Sequence, residues 1–207
     1  TVSTHYDPLI AKVIVWDVDR EAARWRMSAV LDDVEVVGPT VNRSFLKFLV
    51  ERDDFHAGDV DTGLIERLDA ESYTSDTSPT DDDLICASLW MMEQREQAAQ
   101  ELAARMGDPT SPWSLSNSWR LNDVAHQDFR FSWDGREVKV SATPSADGHR
   151  FHIVDGNEVS DFQVVGEGQA SGDIRASING RGVSVRVISV ENQMSLFSGE
   201  HMARMTL

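Results

Sequence analysis

Six histidines, one cysteine, two acidic clusters and a glycine-rich stretch are the residues whose types could support catalysis or ligand binding. Their spacing decides what each can do. His149 and His152 fall in or beside a strand with their side chains on opposite faces, which is unsuited to a shared metal. His5, His56, His126 and His201 stand apart in sequence. Cys86 lies near the start of an apolar run with no basic neighbour to stabilise a thiolate, so it reads as a small core residue. Asp17-Val18-Asp19-Arg20-Glu21 begins like a calcium loop. However, Ala22 stands where the sharp-turn glycine belongs, and Val30 and Leu31 occupy the distal end, so the stretch reads as a capped helix start. The glycine-rich stretch from Gly166 to Gly172 has no helical pattern after it and no lysine to hold a phosphate, and it reads as a hairpin loop. Asp81 to Asp83 could bind magnesium, but helix capping and solvation account for them without a ligand. No serine sits in a nucleophile-elbow context. No catalytic, cofactor-binding or metal-binding residue is therefore expected. Trp113 and Trp119 remain, two large aromatics in a polar, proline-bearing segment. They either anchor that segment to its own domain or present a surface to a partner.

Composition narrows the partners. The chain has 207 residues, 41% hydrophobic and 26% charged, enough for one good core or two modest ones. Nineteen basic against thirty-five acidic residues give a net charge of −16, which disfavours nucleic acid and anionic membranes as partners. Proteins or small molecules are expected instead. A single cysteine excludes an internal disulfide and fits a reducing compartment. No signal peptide and no apolar run of about 18 residues is evident. The chain begins with Thr1 rather than Met, as a piece of a longer polypeptide would.

The elements that would position these residues change character along the chain. Tyr6 to Trp16 is an apolar, β-branched run that reads as a buried strand. Asp19 then opens a helix reaching Leu31, Val34 to Val37 make a short strand ending at Gly38-Pro39, and Asn42 is placed to cap a helix over Arg43 to Arg52. From Asp53 to Asp83 acids, Ser and Thr dominate, which marks a domain boundary. The longest helical pattern follows, Asp81 to Gly107. Three aspartates suit its first turn, Arg105 its last, and Gly107 and Pro109 its end. Its apolar positions spread around the axis, so it should be surrounded. From Gln127 onward the period changes to two, and seven turn signals separate eight strands: Asp134-Gly135, Asp147-Gly148, Asp155-Gly156, Gly166-Glu167-Gly168, Asn179-Gly180, Glu191-Asn192 and Ser198-Gly199. The expected class is α+β: a long central helix encircled by an antiparallel barrel of about eight strands, preceded by a small α+β piece. The expected divisions are 1–70, a linker 71–83, and 84–207, the last holding a helix 84–106, a loop 108–124 and strands 127–207. A barrel of this size could instead hold a small ligand inside.

Tyr6-Asp7-Pro8-Leu9-Ile10-Ala11-Lys12-Val13-Ile14-Val15, then Gly38-Pro39-Thr40-Val41-Asn42 and Phe55-His56-Ala57-Gly58-Asp59, resemble the end of a biotin carboxylase domain. Val41-Asn42 stands where that family usually has Thr-Asn. Trp119-Arg120-Leu121-Asn122 and Val190 to Ser198 resemble the α subunits of 3-methylcrotonyl-CoA carboxylase, with the propionyl-CoA and geranyl-CoA enzymes close by. The resemblance implies a ligase that uses ATP, magnesium or manganese, and biotin. It also implies a middle domain docking the carboxyltransferase β subunit through a hook-like loop, where Trp113, Leu115, Trp119, Arg120 and Leu121 are the expected contacts. Partners would be that β subunit and the rest of the chain's own α subunit. The compartment would be the bacterial cytoplasm or, in a eukaryote, the mitochondrial matrix. The glycine-rich ATP loop and metal-holding glutamates of such subunits lie upstream of the Tyr6 motif. The biotinyl lysine lies between two methionines, and Lys12, Lys47 and Lys139 are not so flanked. The piece is therefore expected to be inactive alone, with no cofactor of its own.

Overall fold

A computed structural model describes residues 9–68, 77–107, 125–168, 171–199 and 201–207. The chain separates into two compact units, Thr1–Ser75 and Asp76–Leu207.

In the first unit, helix α1 (Arg20–Asp33) starts as the sequence dictates: the Asp19 carboxylate accepts the Ala22 N–H at 2.8 Å. It packs on α2 (Arg43–Glu51), followed by the short α3 (Asp53–Ala57), which sequence reading left inside the acidic boundary. Arg43 is buried and donates to the carbonyls of Asp32 and Val34, while Lys47 closes on Asp32 at 2.7 Å. These charged groups tie the end of α1 to α2. Asn42 occupies the position before α2 but makes no side-chain cap. Leu9–Trp16 and Val34–Val37, expected as strands, run without a ladder among the described residues. A strand needs a neighbour to take its backbone bonds, and the apolar side chains of Leu9, Ile14 and Trp16 face solvent. Trp25 is also exposed, and Phe48 is half-buried.

The second unit is built by hairpins. Helix α4 (Asp81–Arg105) leads to β1 (Gln127–Trp133), β2 (Arg136–Ser145), β3 (Gly148–Asp155), β4 (Glu158–Gly168), β5 (Asp173–Ile178), β6 (Arg181–Val190), β7 (Gln193–Ser198) and β8 (His201–Thr206). Each strand pairs antiparallel with the next, and β1 meets β8 to close the barrel. The tight turns are set by local chemistry. Asp134 and Gly135, and Asn179 and Gly180, all take positive φ, as the two-residue turns that match strand twist require. One turn signal is displaced: Gly166 lies within β4, opposite Ala176. A Cβ there would stand 2.6 Å from the Ala176 Cα and the Arg175 carbonyl oxygen, so glycine is needed for close backbone approach rather than for a turn.

Inward positions alternate along the strands. Phe129, Phe131, Val138, Val140, Phe151, Ile153, Val164, Ile174, Val185, Val187, Met194, Leu196 and Met205 form one core with Leu84, Ile85, Cys86, Ala87 and Leu89 of α4. Two features of α4 differ from expectation. Its cap is Thr80, not the aspartates: the Thr80 hydroxyl accepts the Asp83 N–H, and the Asp83 carboxylate accepts the Thr80 N–H, a reciprocal box. The helix is also enclosed without a break only from Asp83 to Leu89, with Ala103 the one buried residue beyond that run. At about 1.5 Å per residue its 25 residues reach about 37 Å, longer than strands of six to eleven residues can cover. The composition follows: after Asp83 the enclosed run Leu84 to Leu89 carries no charge, and the remainder is rich in Glu, Gln and Arg.

Candidate functional site

The barrel interior is a packed core. Ile85, Cys86 and Ala87 have no exposed surface, and Trp90, Met91 and Met92 pack against the same cluster as the helix leaves it. Ala87 and Ser88 are small where strands crowd the helix, and the buried Ser88 hydroxyl is satisfied by the Leu84 carbonyl at 2.8 Å. Burial pushes the Cys86 thiol up to about 12, with Asp83 and Asp82 adding to the effect, so it stays a neutral core group and not a nucleophile.

At the capped end of the barrel, three hydrogen bonds converge on one carboxylate. Asp83, 1% exposed, accepts at its Oδ2 from the Thr80 N–H at 2.9 Å, the Thr80 hydroxyl at 2.7 Å and His201 Nε2 of β8 at 3.0 Å. Burial opposes its ionisation most strongly. The bonds from His201 and Thr80 outweigh it and hold the carboxyl below its ordinary value. Beside it Asp82 takes a two-pronged bond from Arg181, the first residue of β6, at 2.6 and 2.8 Å. Asp81 makes the opposite adjustment. Desolvation first, and then Asp82, Asp155 and Glu158, raise its carboxyl. The acidic run thus fastens the helix to two strands. Among the described residues no three His, Cys, Asp or Glu side chains are grouped to hold a metal.

At the other end the helix emerges as a stalk. Arg95 donates to the Gln127 side chain at 3.2 Å and lies 4.8 Å from the centre of the Phe129 ring, which fixes the stalk at the lip of β1. Beyond it Leu102 is 53% and Met106 74% exposed. The stalk ends at Gly107, whose positive φ closes the helix, as its sequence anticipates. Trp113, Leu115, Trp119, Arg120 and Leu121, expected in a loop after the helix, all lie outside the described residues.

The histidine pair stays apart as the spacing requires. His149 is half-buried 6.3 Å from Phe151, and burial lowers its pKa; His152 lies on the outer face, 2.8 Å from Asp161. In the first unit Glu21 is held at about 2 by its paired bonds from Arg24, assisted by His56, and Asp17 pairs with Arg26. Those acids serve helix and surface contacts in place of a calcium loop. The residues that sequence reading missed are Thr80, His201 and Arg95. Only the first had a local signal, Thr80 three residues before Asp83.

Residues 80–207 match the family described as methylcrotonyl-CoA carboxylase, alpha-subunit, BT domain. The chain belongs to that family. Residues 1–67 match the biotin carboxylase C-terminal domain. Among curated proteins, the methylcrotonoyl-CoA carboxylase subunit alpha, mitochondrial, of Dictyostelium discoideum is 32% identical over 95% of this chain and 29% of its own length. The protein of the same name from Mus musculus is 27% identical over 96% of this chain and 28% of its length. The propionyl-CoA carboxylase alpha chain, mitochondrial, of Caenorhabditis elegans is 31% identical over 47% of this chain and 14% of its length. The chain thus spans about three tenths of the methylcrotonoyl-CoA carboxylase relatives it matches. The flanks expected of a biotinyl lysine are not found at Lys12, Lys47 or Lys139. Lys47 is held by Asp32 and Glu51, Lys139 pairs with Asp128, and neither stands between methionines.

Proposed function

We propose that this chain serves as the assembly segment of a biotin-dependent acyl-CoA carboxylase α subunit, most specifically of the methylcrotonyl-CoA type. In this reading residues 1–70 complete the biotin carboxylase domain, 71–83 link, and 84–207 dock the carboxyltransferase β subunit. The parent enzyme would carboxylate biotin with ATP and pass the carboxyl group to the acyl-CoA held by its partner. The supporting observation is the family match over 80–207, on a barrel whose interior is filled by its own helix rather than left open for a ligand. A filled barrel has its outer face, its stalk and its loops with which to act. The compartment follows the source: cytoplasm in a bacterium, mitochondrial matrix in a eukaryote.

The contact is assigned to Trp113, Leu115, Trp119, Arg120 and Leu121, because tryptophan and arginine are the commonest anchors of protein interfaces. Trp113→Ala or Trp119→Ala is expected to weaken β-subunit binding by about 2 kcal/mol, roughly thirtyfold in Kd. Titration calorimetry with a methylcrotonyl-type β subunit measures this, and unchanged affinity in both variants removes the loop from the interface. Co-purification with methylcrotonyl-, propionyl- and geranyl-type β subunits separates the three substrate assignments. The chain alone is expected to carboxylate no free biotin when given ATP and bicarbonate, and a measurable rate would refute the division of labour.

A further inference from the structure

Among the described residues the barrel has one incomplete seam. Every other neighbouring pair of strands is laddered over at least five positions, whereas β1 and β8 meet at one, Ser132 opposite Thr206. The direction of the unused bonds follows from the hairpin. Trp133 lies opposite Arg136 across a two-residue turn, so Trp133, Phe131, Phe129 and Gln127 exchange bonds with β2. Ser132, Arg130 and Asp128 then turn their backbone N–H and C=O groups the other way. Ser132 finds Thr206 there, and Arg130 and Asp128 face no strand among the described residues. This short edge lies over valuable core: Phe129 is 2% exposed and Phe131 not at all.

β8 runs toward the gap and points along it. The Leu207 N–H donates to the Asn192 carbonyl at 3.1 Å, and the Asn192 side-chain amide donates to the Leu207 carbonyl at 2.9 Å. Leu207 therefore still keeps strand direction, and its side chain packs against the core cluster. Continuing the antiparallel register from Ser132 and Thr206 sets the first residue beyond Leu207 opposite Arg130 and the third opposite Asp128.

We propose that the β1 edge at Asp128 and Arg130 is a strand-addition site, and that its occupant is the stretch of the larger α subunit that follows Leu207. The proposal rests on the reading of this chain as a segment of such a subunit. A continuation of β8 arrives already in register and tethered, so its effective concentration at the edge is high. A separate chain would have to bind through an edge offering only four backbone groups. Unpaired edges also invite aggregation, and extending β8 covers this one. The added strand would fix the direction in which the downstream part of the subunit leaves the barrel.

Amide hydrogen exchange on the full-length α subunit and on the 207-residue chain tests this. The amides of Asp128 and Arg130 should exchange at least about tenfold more slowly in the full-length protein, with Ser132 as an internal control paired in both. Replacing the four residues after Leu207 by Gly-Ser-Gly-Ser in the full-length subunit should restore fast exchange. Equal exchange in both proteins overturns the proposal. So does slowing that appears only when β subunit is added, which assigns the edge to the partner, or slowing in the 207-residue chain that rises with its concentration, which assigns it to a second copy. β-subunit co-purification, run in parallel, reports on the assembly reading without using these amides.

Discussion

Phe131→Ala is expected to lower the stability of the barrel unit by about 3–5 kcal/mol, the cost of removing a large aromatic from a site that cannot collapse. Phe131 has no exposed surface and sits in the cluster shared by the strands and the enclosed turns of α4. Its strand is laddered to β2 over seven positions, and α4 is fixed at its capped end through Asp82 and Asp83. Neighbours held this way relax little into a cavity, which places the cost in the upper range for core truncations. The informative comparison is Leu102→Ala. Leu102 belongs to α4, where leucine and alanine differ little in helix propensity, and its side chain on the stalk is about half exposed. Its loss should change stability by no more than about 0.5 kcal/mol. Urea unfolding of the 207-residue chain, followed through the β-sheet signal, measures both. Similar losses in the two variants would mean that the stalk is as integral to the folded unit as the enclosed turns, and the division of α4 would fail.

That division marks the boundary of what the sequence reveals. The eight strands were legible because most of them alternate, β7 excepted, and the turns are chemically explicit: Asp134-Gly135 and Asn179-Gly180 need positive φ, and few other residues tolerate it. The existence of α4 was equally plain. How much of it lies inside the barrel was not, because periodicity reports which faces are apolar and not how long the surrounding strands are. The composition contained the answer, since Leu84 to Leu89 holds no charge and Glu93 to Arg105 holds several. Leu9–Trp16 fails in the opposite way. Its β-branched run satisfies every local criterion for a strand, but a strand is a relation between two segments, and no described residue supplies the second. Gly166 misled because glycine serves both turns and close backbone approach, and only the partner Ala176 distinguishes the two. As for the candidate site, its tryptophans could be chosen from residue type alone, while the His201 bond to Asp83 joins residues 118 apart with no local trace.

That bond carries the second large effect. Asp83→Ala should cost about 3 kcal/mol, because it strips the acceptor from the Thr80 N–H, the Thr80 hydroxyl and His201 at a buried site. The loss of the cap contributes part of this figure, since removal of a capping group alone typically costs about 0.5–2 kcal/mol. What separates the charge from the packing is pH. The Asp83 carboxyl titrates below its ordinary value of 3.8 in the folded chain. A carboxyl with a depressed folded pKa stabilises fully above its unfolded pKa, and that contribution fades as the pH falls from there through the folded value. The barrel unit should therefore lose stability below about pH 4, in a step absent from Asp83→Asn, which keeps an acceptor oxygen for Thr80 but cannot ionise. Near neutral pH the Asn variant should be less stable than the parent and more stable than Ala. Urea midpoints between pH 3 and pH 7 for the three proteins test the assignment. An Asn variant with the same acid-side slope as the parent would show that other carboxylates control that limb. Asp83 would then act through shape and hydrogen bonding rather than charge.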